Sequence, residues 1–137
     1  MHLRPSRSLI AGNTSKVTLL VVENDATSRL LMELMLIRDN FTVLLAANSA
    51  EALDTLTRHH VNGIVLGTLM SGINNSEFCR VLRARTDTCS LPILIILSTS
   101  DAAGIERSKQ AGADDHLTKP VIAQALVDKV RDLLRRD

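Results

Sequence analysis

The stretch VTLLVVENDATSRLLMELMLIRDN, residues 17–40, changes periodicity in its middle. Val17 to Val22 is an unbroken apolar run, the pattern of a strand covered on both faces rather than one alternating between core and solvent. Glu23-Asn24-Asp25 breaks the run, and from Ala26 to Asp39 apolar residues recur at helical spacing. Asp25 stands where such a helix takes its N-cap, a short carboxylate that accepts from a free backbone amide. Leu31, Met32, Met35 and Leu36 share one face, expected to meet the core. Leu30, Leu34 and Ile37 fall at i, i+4 and i+7 on the opposite face.

The alternation continues to the end of the chain. Thr42 to Ala46, Gly63 to Leu66, Ile93 to Leu97 and a short His116-Leu117-Thr118 read as buried strands. Helical patterns follow at 49–59, 75–85, 102–111 and 121–135. Asn48 with Glu51 three residues on predicts a capping box, His59-His60 ends the second helix, and Gly112 ends the fourth. The last helix pairs an apolar face of Ile122, Ala125, Leu126, Val130 and Leu133 with a mixed-charge face that includes Asp128, Lys129, Arg131 and Arg136, read as solvated. Strands alternating with helices imply βαβ units, a parallel sheet and right-handed crossovers. The predicted fold class is α/β, a doubly wound five-stranded parallel sheet with five helices.

Size and composition narrow the rest. A chain of 137 residues suits one domain. Residues 1–16, basic and polar, are expected to be a flexible leader, with the domain at 17–137. A formal charge of +1 gives no electrostatic case for nucleic acid. No run approaches the roughly 18 apolar residues of a membrane helix, and the start lacks the apolar core of a secretory signal. Cys79 and Cys89 lack metal-like spacing and read as free thiols in a reducing cytoplasm. With no Trp, no Tyr and two Phe, the core must be aliphatic.

Open parallel sheets place their sites beyond the carboxyl ends of the strands. The successive strand exits here are Glu23-Asn24-Asp25, Gly67, Ser98-Thr99 and Lys119-Pro120. Together with LLVVENDATSR (19–29), GTLMSGINNSEFCRVLR (67–83) and AGADDHLTKP (111–120), this set resembles the receiver domain of bacterial two-component response regulators over residues 17–137. The resemblance implies a (βα)5 flavodoxin-like fold and a phosphorelay chemistry. In such receivers an aspartate after the third strand takes a phosphoryl group from a histidine kinase. Two acidic residues after the first strand help to hold Mg²⁺, a lysine after the fifth pairs with the charge, and a Ser or Thr after the fourth donates to it.

Carried over residue by residue, the pattern matches at Glu23, Ser98 and Lys119 and departs at the chemistry. Gly67 falls on the acceptor position and has no nucleophile. Asn24 falls where the metal-touching aspartate belongs, and Asp25, one residue further on, is expected to cap the helix. Ser71 replaces a usual proline, and Asn74-Asn75 a usual acidic-or-Asn then Gly pair. Converging carboxylates repel one another or demand a cation. With two of them gone, Glu23 is expected to face Lys119, and Mg²⁺ binding is expected to be weak or absent. Ser98 and His116 fall on the positions that in the family couple the site to the surface of the fourth helix, fifth strand and fifth helix. A histidine at 116 is a candidate pH-sensitive element, its plainer reading being a half-exposed strand residue.

The expectation is a pseudo-receiver, with no catalytic residues and no cofactor, that signals by protein–protein contact in a bacterial cytoplasm. Its partner would be a histidine kinase, another regulator or an output protein. Leu30, Leu34 and Ile37 form the candidate interface, for a homodimer or a partner helix, unless leader residues such as Leu9-Ile10 cover them. Two alternatives stand beside it. One is the acceptor-null form of an ordinary receiver, or the regulatory domain of a larger protein, with Thr68, Ser71 or Ser98 as displaced acceptors that lack an adjacent base. The other is a small-ligand sensor using the pocket vacated at Gly67.

Overall fold

The computed structural model of the chain describes residues 17–69 and 73–135. Its elements alternate as β1 (Thr18–Val22), α1 (Ala26–Arg38), β2 (Thr42–Ala46), α2 (Ser49–Arg58), β3 (Gly63–Leu66), α3 (Asn75–Ala84), β4 (Ile93–Leu97), α4 (Ala102–Gln110), β5 (Asp115–Thr118) and α5 (Ala123–Arg135). All strand pairs are parallel, in the order β2-β1-β3-β4-β5. The leader, Ser71 and Arg136 lie outside the described residues.

The unbroken apolar runs follow from helices on both faces of the sheet. Leu19, Val21, Val65, Leu94 and Ile96 pack with Met32 and Leu36 of α1 and Leu126, Val130 and Leu133 of α5. The alternate residues Leu20, Val22, Ile64, Leu66, Ile93 and Ile95 pack with Ala52 of α2 and Phe78, Cys79 and Leu82 of α3. Two strands depart from the buried-strand expectation: β5, whose residues are all half-buried, and β2. They are the two edge strands, and in β2 Thr42 and Leu45 are exposed.

Helix ends follow side-chain chemistry. Asp25 accepts from the Ser28 amide at 2.8 Å, and Asn48 from the Glu51 amide at 2.9 Å. The box predicted at Asn48 is incomplete, because Glu51 Oε1 accepts from the Ala47 amide at 2.8 Å instead of the cap's own. A full reciprocal box occurs at Asn74 and Glu77, at 2.8 and 3.1 Å. Gly112, at φ +100°, closes α4 in the left-handed region that favours glycine. Arg83 ties this corner together, donating to the carbonyls of Gly112 (2.9 Å), Cys89 (3.0 Å) and Leu91 (2.6 Å) and pairing with Asp114 (2.9 Å).

Two side chains expected in the core are outside it. Leu31 of α1 is 49% exposed, because α1 meets the sheet along the narrower line of Met32, Met35 and Leu36. Ile122 is 65% exposed and precedes α5, whose buried face is instead Leu126, Val127, Val130, Leu133 and Leu134. Cys79 is buried and Cys89 exposed, both free. Among the described residues no helix is long and apolar enough to cross a membrane.

Candidate functional site

The sheet's order reverses between β1 and β3, so the crevice at their carboxyl ends is the topological switch point. Val22 pairs with Leu66 in register, which makes Glu23 and Gly67 neighbours across that crevice. The backbones hold each other there: Gly67 donates to the Val22 carbonyl at 2.7 Å, and Asn24 to that of Thr68 at 2.8 Å. Arg29, one turn into α1, donates to the carbonyls of Glu23 (2.9 Å) and Asn24 (3.2 Å) and so fixes the β1–α1 loop.

Glu23 is wholly buried, and its carboxylate is fully engaged. Oε1 accepts from the Thr68 amide at 3.0 Å, and Oε2 from the Asp25 amide at 2.8 Å. Lys119 Nζ lies 3.5 Å from Oε1 and donates to Thr68 Oγ1 at 3.1 Å. A buried carboxylate is tolerated when a cation and hydrogen bonds replace its water, and Glu23 has both. This side chain also occupies the space above Gly67. A Cβ on that glycine would overlap Glu23 Oε1 and lie 3.0 Å from its Cδ. Among the described residues the space above Gly67 is therefore filled by Glu23, contrary to the premise of the ligand-sensor alternative. The missing side chain is replaced by a neighbour's.

Asn24 and Asp25 are both exposed. The Ser28 backbone amide, with its hydroxyl, holds the Asp25 carboxyl below the ordinary carboxylate range. Ser98 is exposed and opens onto a shallow depression of about 210 Å³ shared with Thr68, Asn75, Thr99 and Arg107. Thr99 donates to Asp101 at 2.7 Å, and Asp101 caps α4. His116 is half-buried, three residues before Lys119, with Nδ1 3.9 Å from Asp115. Asp115 in turn pairs with Lys129 of α5 at 3.0 Å.

The structure thus joins Glu23, Gly67 and Lys119, while Asn24, Asp25, Ser98 and His116 lie around rather than within the cluster. Thr68 is the working member that sequence reasoning treated only as a spare hydroxyl. Its amide holds Glu23 and its Oγ1 receives Lys119. Among the described residues no group of three His, Cys, Asp or Glu side chains is arranged to hold a metal ion.

Comparison with known proteins agrees with the fold. The family model described as response regulator receiver domain matches residues 19–131. The chain is 35% identical over 119 residues to the transcriptional regulatory protein AfsQ1 of Streptomyces coelicolor, covering 87% of this chain and 52% of that protein. It is 34% identical over 120 residues to response regulator MprA of a Mycobacterium species, covering 88% and 51%. The chain spans about half the length of these curated relatives. A crystal structure described as a response regulator of Chloroflexus aurantiacus superposes with a TM-score of 0.84 at 32% identity, covering 88% of this chain and 98% of that one. Chemotaxis response regulator CheY4 of Vibrio cholerae shares the fold, with a TM-score of 0.79 at 21% identity over 85% of this chain and 98% of that one.

Proposed function

From the premise that the chain belongs to the response regulator receiver family, we propose that it is a phosphorylation-independent receiver, not an enzyme, that regulates through protein–protein contact. One observation carries this reading. The fully bonded Glu23 carboxylate stands where a side chain at position 67 would have to be, and that position is Gly67. The lysine that would pair with a phosphoryl group already faces a buried carboxylate.

The same geometry bears on the metal that the family implies. Mg²⁺ demands a near-octahedral oxygen shell and is usually held through one or two carboxylates plus substrate oxygens. Here Glu23 spends its oxygens on two amides and an ammonium, and Asn24 is uncharged and exposed. These residues do not fit the ion, and the domain is proposed to work without it. Its partners are proposed to be a histidine kinase, another regulator or an output protein, in a bacterial cytoplasm.

A second reading makes the chain the regulatory part of a longer regulator, supported by the relatives' greater length. The test is an amide chemical-shift titration with magnesium and then acetyl phosphate, following Asp25, Thr68 and Lys119. Unmoved resonances are expected. A saturable shift at all three would sink the proposal.

A further inference from the structure

We infer that α1 is a self-association surface, pairing in parallel with α1 of a second copy of this chain about a two-fold axis. Leu30, Leu34 and Ile37 are 51%, 53% and 47% exposed. They lie on the pole of α1 opposite the buried Met32 and Leu36. Their spacing of four and then three residues is that of alternating d, a and d positions in a coiled-coil seam, so the complementary surface is another helix with the same spacing.

The flanking charges select the partner and its direction. With Leu34 at position a, Glu33 occupies g and Arg38 occupies the following e, on opposite edges of the seam. In a parallel two-fold pair each g position meets the e position five residues on in the partner. Glu33 of each copy then faces Arg38 of the other, twice over by symmetry. An antiparallel pair would instead put both Glu33 side chains on one edge and both Arg38 side chains on the other, like against like. Among the described residues neither side chain has an ion-pair partner within its own chain. Leu31, also exposed, flanks the seam and extends the apolar area.

This inference rests on the reading that the domain works by contact. Self-association and phosphoryl labelling are read separately, so the two fail separately. A seam of a few side chains buries less than the roughly 1,600 Å² of a standard complex. The pairing is therefore weak, with a dissociation constant of about 10 µM to 1 mM.

The test is sedimentation equilibrium of the full chain across that concentration range. A reversible monomer–dimer equilibrium is expected, and Leu34→Lys raises the dissociation constant at least ~tenfold. Glu33→Arg and Arg38→Glu each weaken the dimer, and the double variant recovers it. These three substitutions lie on the half-buried or exposed face of α1, and thermal melts check that each variant folds. Ile37→Cys in a Cys89→Ser background is expected to cross-link to itself under mild oxidation, as parallel pairing requires. A chain that stays monomeric throughout overturns the inference, as does a dimer indifferent to Leu34→Lys or one the double charge swap does not restore. A monomer that dimerises only after removal of residues 1–16 also overturns it, by assigning the face to the leader.

Discussion

A methyl group on Gly67 would compete with Glu23 for one volume, and the competition can be measured. Gly67→Ala must displace a buried carboxylate from two amide donors and an ammonium. It is expected to cost about 1–3 kcal/mol in urea unfolding. In a Glu23→Ala background the same substitution should cost less than about 0.5 kcal/mol, because the obstacle is gone. Equal costs in both backgrounds would refute the overlap. The glycine's lack of a nucleophile was legible in the sequence, and so was the facing of Glu23 and Lys119. The filling of the glycine's space by Glu23 was not, because it depends on register: Val22 pairs with Leu66, and pattern alone does not supply that pairing. The cysteines offer a second check at this scale. Burial pushes the Cys79 thiol up, while Cys89 is exposed. One thiol of the two should react with a disulfide reagent in the native protein and both in denaturant.

Among elements, helix entry is set by caps that sequence reveals unevenly. Asp25 and Asn48 announced themselves by position, but the complete box was at Asn74 and Glu77, within a motif read for other reasons. Asn74→Ala is expected to cost about 1 kcal/mol, measured by thermal or urea unfolding, since it leaves the Glu77 amide without its acceptor. No loss of stability would mean the box is not holding α3. Helix α1 shows the limit of periodicity. It is apolar nearly all round, so no polar face tells Leu31 which way to point, and only packing on the sheet decides that Met32 and Leu36 go inside. The last helix, with charges massed on one side, gave Leu126, Val130 and Leu133 directly, but not the buried Val127 and Leu134, and it placed the exposed Ile122 inside.

For the whole molecule, the fold was legible because apolar runs without alternation require cover on both faces of a parallel sheet. The two edge strands, β2 and β5, were misjudged for the same reason, since apolarity does not say where a strand sits in the order. Across the sheet's far side, β5 is tied to α5 by Asp115 and Lys129. Burial alone would raise the Asp115 carboxyl, but the His116 amide and the Lys129 ammonium outweigh it and hold it below its ordinary range. A carboxylate lowered in the folded state adds stability that is present in full above the ordinary range and lost as pH falls through the native value. Lys129→Met should therefore be less stable than the parent at neutral pH, with the gap closing below about pH 4. Melts across pH would show it, and a gap that widens on acidification would contradict it.

The central claim is that the receiver scaffold persists while its phosphoryl chemistry does not. Intact-mass spectrometry after incubation with acetyl phosphate and magnesium tests it most directly, on the native chain and on Gly67→Asp. The account predicts that neither gains the mass of a phosphoryl group: Gly67 offers no nucleophile, and in the variant Asn24 still stands in place of a carboxylate beside Glu23. Labelling of the native chain would contradict the account outright. Labelling of Gly67→Asp alone would contradict its claim that the site is disabled beyond its acceptor.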